Sequence, residues 1–199
     1  MEIVLAKTAG FCFGVKRAVD TVYSEIEKGG KIYTFGPIIH NETVVDDLAD
    51  KGVQIIRNVD DIEDLNDCTV IIRSHGISKE IYEALEKKNL NIVDATCPFV
   101  KKIHRIVAEE SNNGKLIIVI GNSQHPEVEG IIGWCNKNNP AVVIENKEQA
   151  EVFCTDKKRD ICIVSQTTFN YNKFQELVEI FTKKGYDVNV VNTICNATE

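Results

Sequence analysis

Long apolar stretches are missing from this sequence. Its longest continuous apolar runs cover four or five residues, as in Leu116–Ile120, whereas a helix needs about 20 apolar residues to cross a bilayer. The N-terminus carries an acidic residue, Glu2, and a short apolar run that soon gives way to polar residues, which is typical of a strand and not of a secretion signal. We therefore expect a cytoplasmic protein with no membrane partner.

The sequence also lacks an excess of positive charge. Lys and Arg total 23 against 30 Asp and Glu, which gives a net charge of −7, and no basic stripe is present. Nucleic acid is therefore not an expected partner, because the neutralisation of phosphates requires clustered cations. Neither Gly-x-x-x-x-Gly-Lys nor Gly-x-Gly-x-x-Gly occurs, which excludes the common nucleotide-binding loops as well.

Short cysteine motifs are absent too. The seven cysteines include no Cys-x-x-Cys pair, and their odd number in a chain without an export signal indicates reduced thiols and not a disulfide framework. A single cysteine in such a chain is usually a buried, unreactive thiol. Any metal site made of thiols must therefore be assembled from cysteines that lie far apart in the sequence.

What the sequence does contain is a repeated pattern built around a cysteine. Cys12 opens CFGVKR and Cys97 opens CPFVKK, and a histidine follows 28 residues after each, at His40 (40 − 12 = 28) and His125 (125 − 97 = 28). Each histidine stands in the pattern Gly-x-x-x-His-x-Glu. The residues that precede Cys97 also match those that precede Cys195, so a third copy of the pattern begins at Cys195.

This repeat predicts that the three cysteines meet. Repeats place equivalent side chains at equivalent positions, which can converge around a pseudo-symmetry axis. Three converging thiols suit an iron-sulfur cluster with one open iron, or a zinc site with an open position. Each cysteine stands between a strand end and a helix start, where backbone N–H groups and the helix dipole favour a thiolate. The other four cysteines are predicted to be structural: Cys68, Cys135, Cys154 and Cys162.

Short β-branched runs alternate with amphipathic stretches along the chain, which predicts an α/β fold with mainly parallel sheets flanked by helices. Strands are predicted at 3–5, 31–35, 69–73, 91–93, 116–120, 142–145, 161–164 and 187–191. Helices are predicted at 15–27, 43–50, 79–88, 100–110, 128–136 and 171–184. The repeat predicts one module over 13–96 and a second over 97–194, arranged around a central cluster site, with 1–12 and 195–199 belonging to a third.

Polar residues gather where the predicted strands end, which is the edge at which parallel sheets bind ligands. His40, His75 and His125 follow three of these strands, whereas His104 lies within a helical pattern. A lone loop histidine is usually incidental, but three in equivalent turns can gather on a phosphate or diphosphate through their N–H groups.

Glu127 follows His125 at a predicted helix start. On its own it is a favourable first-turn carboxylate, and near a metal cluster it becomes a candidate proton source. Gln166, Thr167 and Thr168 follow another predicted strand. They either cap the next helix or hold a substrate alcohol.

Seven segments in combination resemble the 4-hydroxy-3-methylbut-2-enyl diphosphate reductase family, and the resemblance covers the whole chain. The segments are AGFCFGVKRAV (9–19), GPIIHN (36–41), IRSHG (72–76), DATCP (94–98), GNSQHPEVEG (121–130), SQTT (165–168) and NTICNAT (192–198). The resemblance implies a cage of three α/β modules around a 4Fe-4S cluster, whose open iron would bind the substrate hydroxyl. The implied cluster ligands are Cys12, Cys97 and Cys195.

The resemblance also implies roles for the polar residues. The substrate's diphosphate would face His40, His75 and His125, and the implied catalytic residues are Glu127, Thr167 and His125. Glu127 and Thr167 would hold the alcohol and relay protons, with Gln166 and Thr168 alongside as further substrate-binding residues. Electrons would arrive singly from a reduced ferredoxin or flavodoxin, and cleavage of the C–O bond would yield isopentenyl or dimethylallyl diphosphate.

Members of that family continue past the third cysteine into a third module that carries further diphosphate-binding residues, before which this chain is truncated. The expectation is that the 199-residue chain alone folds two modules and has little or no reductase activity, which strong ferredoxin-dependent turnover would refute. One alternative is a non-catalytic iron-sulfur binding fragment or scaffold. Another is an α/β repeat whose cysteines never meet.

Overall fold

The computed structural model describes residue 4 and residues 9–62, 65–88 and 90–197. Up to residue 94 the elements are α1 (Phe13–Lys28), β1 (Lys31–Phe35), α2 (Glu42–Asp50), β2 (Gln54–Ile56), a 3-10 turn (Asp60–Ile62), β3 (Cys68–Ile72), α3 (Lys79–Lys87) and β4 (Asn91–Asp94). After it they are α4 (Pro98–Asn112), β5 (Leu116–Ile120), α5 (Pro126–Ile132), β6 (Val142–Ile144), α6 (Lys147–Val152), β7 (Ile161–Ser165), α7 (Tyr171–Lys183) and β8 (Val188–Val190).

The strands form two four-stranded parallel sheets of the same topology. The first sheet has the order β2-β1-β3-β4 and the second has the order β6-β5-β7-β8. At the centre of each sheet the last residues of two strands pair, Phe35 with Ile72 and Ile120 with Ser165. The loops that follow these strands therefore emerge side by side at the carboxyl edge. This confirms the predicted α/β fold class.

Each sheet is covered on both faces, because alternate residues of its central strands enter different apolar clusters. In β5, Ile118 packs with Phe174 of α7, whereas Ile117 and Val119 pack with Ile103 of α4. In the first sheet, Ile71 of β3 packs in the same way against α1 and α2, and its neighbours pack against α3. Burial on both faces explains why the central strands are continuous apolar runs.

Two short elements were not predicted from the sequence. Strand β2 has only three residues at a sheet edge, and α6 has six residues of which Ala150 alone is buried. Elements this short present too few apolar residues to establish a period. The predicted strand over 3–5 falls outside the described residues except for Val4, which is exposed.

The helix predicted over 128–136 is wrong at both ends, since α5 covers Pro126–Ile132. It begins earlier because the His125 side chain caps it, accepting a hydrogen bond from the backbone N–H of Glu127. It ends earlier where Gly133 lies against Ser78, so closely that a Cβ at residue 133 would collide with that residue. The residue in contact with this end of the helix is therefore distant in the sequence.

Direct hydrogen bonds join the parts of the chain that carry the two sheets. The Trp134 indole donates to the carbonyl of Ile77 at 2.8 Å, and the Cys97 N–H donates to the carbonyl of Ser74 at 2.9 Å. The module limits 13–96 and 97–194 stay a prediction, and each of the two sheets lies within one of these ranges.

In the described part of the chain, no helix combines the length and the apolar character that a membrane span requires.

Candidate active site

Three histidines from three separate loops meet at the carboxyl edges of the two sheets. His40 follows β1, His75 follows β3 and His125 follows β5. Their ring centroids lie 4.5 Å (His40–His75), 5.3 Å (His40–His125) and 5.4 Å (His75–His125) apart. One ring nitrogen from each lies within 4.8 Å of the other two. The structure therefore brings together the three histidines that the sequence placed in equivalent turns.

The imidazoles at the centre of this group are uncharged near neutral pH. Burial, together with the neighbouring His40, His125 and Arg73, lowers the pKa of His75 to about 3. Burial also lowers the pKa of His125, again with help from His40 and Arg73. Because His125 Nδ1 accepts the hydrogen bond from the Glu127 N–H at 3.1 Å, the proton of the neutral ring must reside on Nε2. His125 is thus prepared to donate a hydrogen bond from Nε2.

Glu127 lies beside the histidines as a buried carboxyl group in the first turn of α5, only 2% exposed. Its Oε1 accepts the backbone N–H of Thr167 at 2.6 Å, and its Oε2 accepts the Thr167 hydroxyl at 2.7 Å. Burial raises the pKa of Glu127, and the two hydrogen bonds from Thr167 offset part of that rise. A carboxyl group whose pKa is raised holds its proton at higher pH, which suits an acid catalyst.

Gln166 and Thr168 lie on either side of Thr167 in the sequence, and their side chains are hydrogen bonded to each other. The Gln166 side chain accepts the N–H of Asn122 at 3.1 Å and donates to the Thr168 hydroxyl at 2.9 Å. Gln166 is buried, whereas Thr168 is exposed. Gln166 therefore ties the loop after β5 to the loop after β7. The predicted contact of these two residues with substrate stays a prediction.

The three cysteines of the repeat lie around the same edge. The Cys97 Sγ packs against Gly14, two residues after Cys12, and a Cβ at Gly14 would come within 2.5 Å of that sulfur. The Cys97 N–H donates to the carbonyl of Ser74, next to His75, at 2.9 Å. The Cys195 N–H donates to the carbonyl of Thr167 at 2.8 Å. Backbone hydrogen bonds thus attach two of the three cysteines to loops that carry His75 and Thr167.

The structure corrects the expectation that Cys97 favours a thiolate. Backbone N–H groups of Phe99 and Val100 do lower the pKa of its thiol, as expected at a helix start, but burial outweighs them and raises it. The neighbouring Cys195 and Cys12 raise it further, so both of their thiols lie close enough to act on Cys97. A bound metal cation would reverse this balance in favour of the thiolates.

Arg73 is a residue of this site that was not identified from the sequence. Its guanidinium packs against Gly36, a position with a φ of 72° that only glycine adopts readily, and its Nε donates to the carbonyl of Gly76 at 3.3 Å. Its positive charge therefore lies next to the histidines. The signal in the sequence was its place two residues before His75 in IRSHG.

Comparison with known proteins gives a consistent result. The family model described as "LytB protein" matches residues 3–199. The chain is similar to the 4-hydroxy-3-methylbut-2-enyl diphosphate reductase of Caldanaerobacter subterraneus subsp. tengcongensis, with 45% identity over 201 residues that cover 100% of this chain and 68% of the relative. A Clostridioides difficile protein of the same name is 45% identical over 200 residues, covering 100% of this chain and 70% of the relative.

Two solved structures are also similar. One is the E-1-hydroxy-2-methyl-but-2-enyl-4-diphosphate reductase from Plasmodium falciparum, with a TM-score of 0.87 and 30% identity over 96% of this chain and 60% of that one. The other is an (E)-4-hydroxy-3-methyl-but-2-enyl diphosphate reductase, with a TM-score of 0.82 and 42% identity over 98% of this chain and 68% of that one. These matches confirm the resemblance drawn from the seven sequence segments.

Proposed function

Because the chain belongs to the LytB protein family, we propose that its site reduces 4-hydroxy-3-methylbut-2-enyl diphosphate to isopentenyl and dimethylallyl diphosphate. The observation that carries this proposal is the buried pair of Glu127 and Thr167, hydrogen bonded at 2.6 and 2.7 Å beside His125. The reductive removal of the allylic hydroxyl requires a proton source, a hydroxyl group and hydrogen-bond donors for the diphosphate. All of them lie at one edge of the two sheets.

We assign a 4Fe-4S cluster to Cys12, Cys97 and Cys195. The residues present fit such a group, because the Cys97 sulfur packs on Gly14, two residues from Cys12, and because the thiols of Cys12 and Cys195 lie close enough to act on it. Three thiolates from separate loops are a suitable ligand set for a cluster with one open iron. When bound, such a cluster supplies single electrons and a Lewis-acidic iron.

Substitution of Gly14 tests this assignment. We expect Gly14→Ala to lower the affinity for iron by about 10- to 100-fold, because the new methyl group would lie 2.5 Å from the Cys97 Sγ and displace it. The helix itself should tolerate the change, since Ala favours a helix interior over Gly by about 0.5–1 kcal/mol. The measurement is iron per chain after anaerobic reconstitution, with thermal unfolding of the apoprotein as the check on folding.

Ser24→Ala is the matched control for Gly14→Ala, because Ser24 lies on an exposed part of the same helix. It should load iron like the unchanged chain. Full iron loading of Gly14→Ala would contradict the placement of the cluster against Cys97.

The diphosphate of the substrate is proposed to bind at His40, His75 and His125. A neutral imidazole such as His125 offers an N–H donor, and the half-buried guanidinium of Arg73 adds a fixed positive charge beside the rings. An approaching anion favours the protonated form of each imidazole, so binding should raise the lowered pKa values of His75 and His125. The imidazoles of His75 and His125 are thus expected to take up protons when the diphosphate binds.

Diphosphate affinity should therefore depend on pH in a defined direction. Since the pKa of His75 is about 3 in the free site and higher in the complex, affinity should not depend on the protonation of His75 above the pKa of the complex and should increase as pH falls below it, towards about 3. Each proton taken up contributes at most about a tenfold change in affinity per pH unit. The measurement is calorimetry of inorganic diphosphate in buffers of different ionisation enthalpy. His75→Gln should take up fewer protons, and equal uptake by both proteins would contradict the role of His75.

The proposed chemistry takes up two electrons and two protons and releases water as the C–O bond breaks. Glu127 is the proposed source of one proton, because burial raises its pKa, and the Thr167 hydroxyl connects this carboxyl group to the space in front of it. That proton leaves with the substrate oxygen as water. The other proton adds to either end of the remaining allyl unit, which gives the two products. A reduced ferredoxin or flavodoxin is the proposed electron donor.

Single turnover tests the proposed function most simply. The chain is reconstituted anaerobically, reduced, and mixed with an equivalent amount of the substrate, and both products are measured by mass spectrometry. Formation of isopentenyl and dimethylallyl diphosphate, even if slow, is the expected result. If iron is bound but neither product forms, the site is a non-catalytic iron-sulfur scaffold.

A further inference from the structure

A cavity outside the proposed active site lies between elements that belong to the two sheets. It has a volume of about 410 Å³, within the range of about 300–1,000 Å³ that is usual for small-molecule sites. Its walls are mainly apolar and aromatic, and they come from β3, α3, α4 and the turn after α5. The principal wall residues are Ile72, Ile77, Tyr82, Ala108 and Trp134.

The wall of this cavity includes a buried polar group with no hydrogen-bond partner. His104 is 5% exposed, its ring is stacked on Trp134 at 5.4 Å and 19°, and its Nε2 makes no hydrogen bond within the described part of the chain. Burial lowers the pKa of His104 to about 4, so its ring is neutral at pH 7. This nitrogen is inaccessible and lies beside Gly76 and Gly130, so His104 contributes to the cavity wall the neutral ring that is stacked on Trp134.

The charges around the cavity do not cancel. Asp94 is fully engaged, since one of its carboxylate oxygens accepts the Thr96 N–H at 2.9 Å and the other pairs with Lys101 at 2.6 Å. Arg105, also in the cavity lining, makes no ion pair or hydrogen bond with the described residues. With His104 neutral, the lining carries one positive charge that no carboxylate of the lining balances.

We infer that this cavity is a binding site for a small amphiphilic anion, which places its apolar body against Trp134 and Ile77 and its anionic head group at Arg105. The inference goes beyond the proposed reductase function and does not depend on a metal centre. An apolar wall with a single unbalanced cation at its edge is complementary to a hydrocarbon with one anionic group. A carboxylate and a phosphate monoester share this chemistry.

The position of the cavity connects it to the proposed active site. Gly76, directly after His75, lies so close to His104 that a Cβ there would come within 2.6 Å of the His104 Cε1. Gly130, in the helix that carries Glu127, faces the His104 Nε2 and the carbonyl of His75. A ligand that shifts His104 or Trp134 therefore presses on the loop of His75. If the ligand changes diphosphate affinity by some factor, diphosphate must change the ligand's affinity by the same factor.

The chain contains a built-in reporter for this site, because Trp134 is its single tryptophan. We expect octanoate and octyl phosphate, added below their micelle concentrations, to change the Trp134 fluorescence of the metal-free chain saturably. The neutral 1-octanol should bind about fivefold more weakly, the upper end of what an exposed ion pair contributes. Whichever of the two anions binds more tightly shows whether the site prefers a carboxylate or a phosphate head group. The absence of a saturable change with either anion would overturn the inference, as would equal binding of 1-octanol.

Two variants test where the ligand binds. Arg105→Gln should weaken octanoate binding about fivefold, whereas Lys102→Gln, the same change on the same helix but outside the cavity lining, should leave it unchanged. Ala108→Met should fill the cavity and abolish binding, with the thermal unfolding temperature as the check on folding. Equal effects of Arg105→Gln and Lys102→Gln, or full binding by a folded Ala108→Met, would contradict the site.

Discussion

Glu127→Gln should reduce the single-turnover rate by about 10²- to 10⁴-fold while the iron content stays unchanged. The size of the effect follows from the proposed role, since Gln has nearly the same shape as Glu but no proton to give. Its amide can keep both contacts to Thr167, with the oxygen accepting the backbone N–H and the NH2 group donating to the hydroxyl. The architecture should therefore survive while proton delivery is lost.

Two further measurements separate this role from a structural one. Thermal unfolding of Glu127→Gln should be similar to that of the unchanged chain, because the substitution removes a buried carboxyl group whose ionised form burial disfavours. Thr167→Val should also lower the rate, since it removes the hydroxyl that connects Glu127 to the substrate space. Loss of iron in Glu127→Gln would instead assign Glu127 to the architecture of the metal site.

Cys97→Ser should abolish stable iron binding. Cys97 is a half-buried thiol that packs on Gly14 and is influenced by both Cys12 and Cys195, so a hard hydroxyl in its place leaves the cluster without a ligand on one side. We expect the affinity for iron to fall at least as much as the roughly 10- to 100-fold lost when a supporting residue of a metal site is removed. The measurement is iron and sulfide per chain after anaerobic reconstitution and desalting.

Cys154→Ser and Cys162→Ser are the controls for this prediction. Cys154 is exposed, and Cys162 lies in the apolar core between β7 and α4, where burial raises the pKa of its thiol to about 11. Neither should change the iron content, although Cys162→Ser should lower the stability because it buries a hydroxyl group. Equal iron loading of Cys97→Ser and Cys154→Ser would contradict the assignment of the ligands.

The sequence predicted the central strands and the convergence at their ends for a simple reason. Strands such as Leu116–Ile120 are buried on both faces, so their apolar runs are unbroken and are recognisable without alignment. The repeat of cysteine and histidine then indicated which loops are equivalent. Parallel strands in register carry the loops of His40 and His75 to one edge of the first sheet, and His125, at the carboxyl edge of the second sheet, meets them there.

What the sequence did not predict depends on contacts between distant residues. Gly133 packs on Ser78 at the end of α5, and the stack of His104 on Trp134 joins α4 to the turn after α5. Neither contact leaves a periodic pattern in the sequence. The raised pKa of Cys97 was missed for the same reason, since it depends on burial and on two thiols that are remote along the chain.

The central claim is that Cys12, Cys97 and Cys195 hold one cluster with an iron that is open to the substrate. Mössbauer spectroscopy of the anaerobically reconstituted chain, with and without 4-hydroxy-3-methylbut-2-enyl diphosphate, tests it most directly. The claim predicts a 4Fe-4S signal in which one iron changes when the substrate is added. A chain that binds no iron, or a cluster whose four irons are unaffected by the substrate, would contradict it.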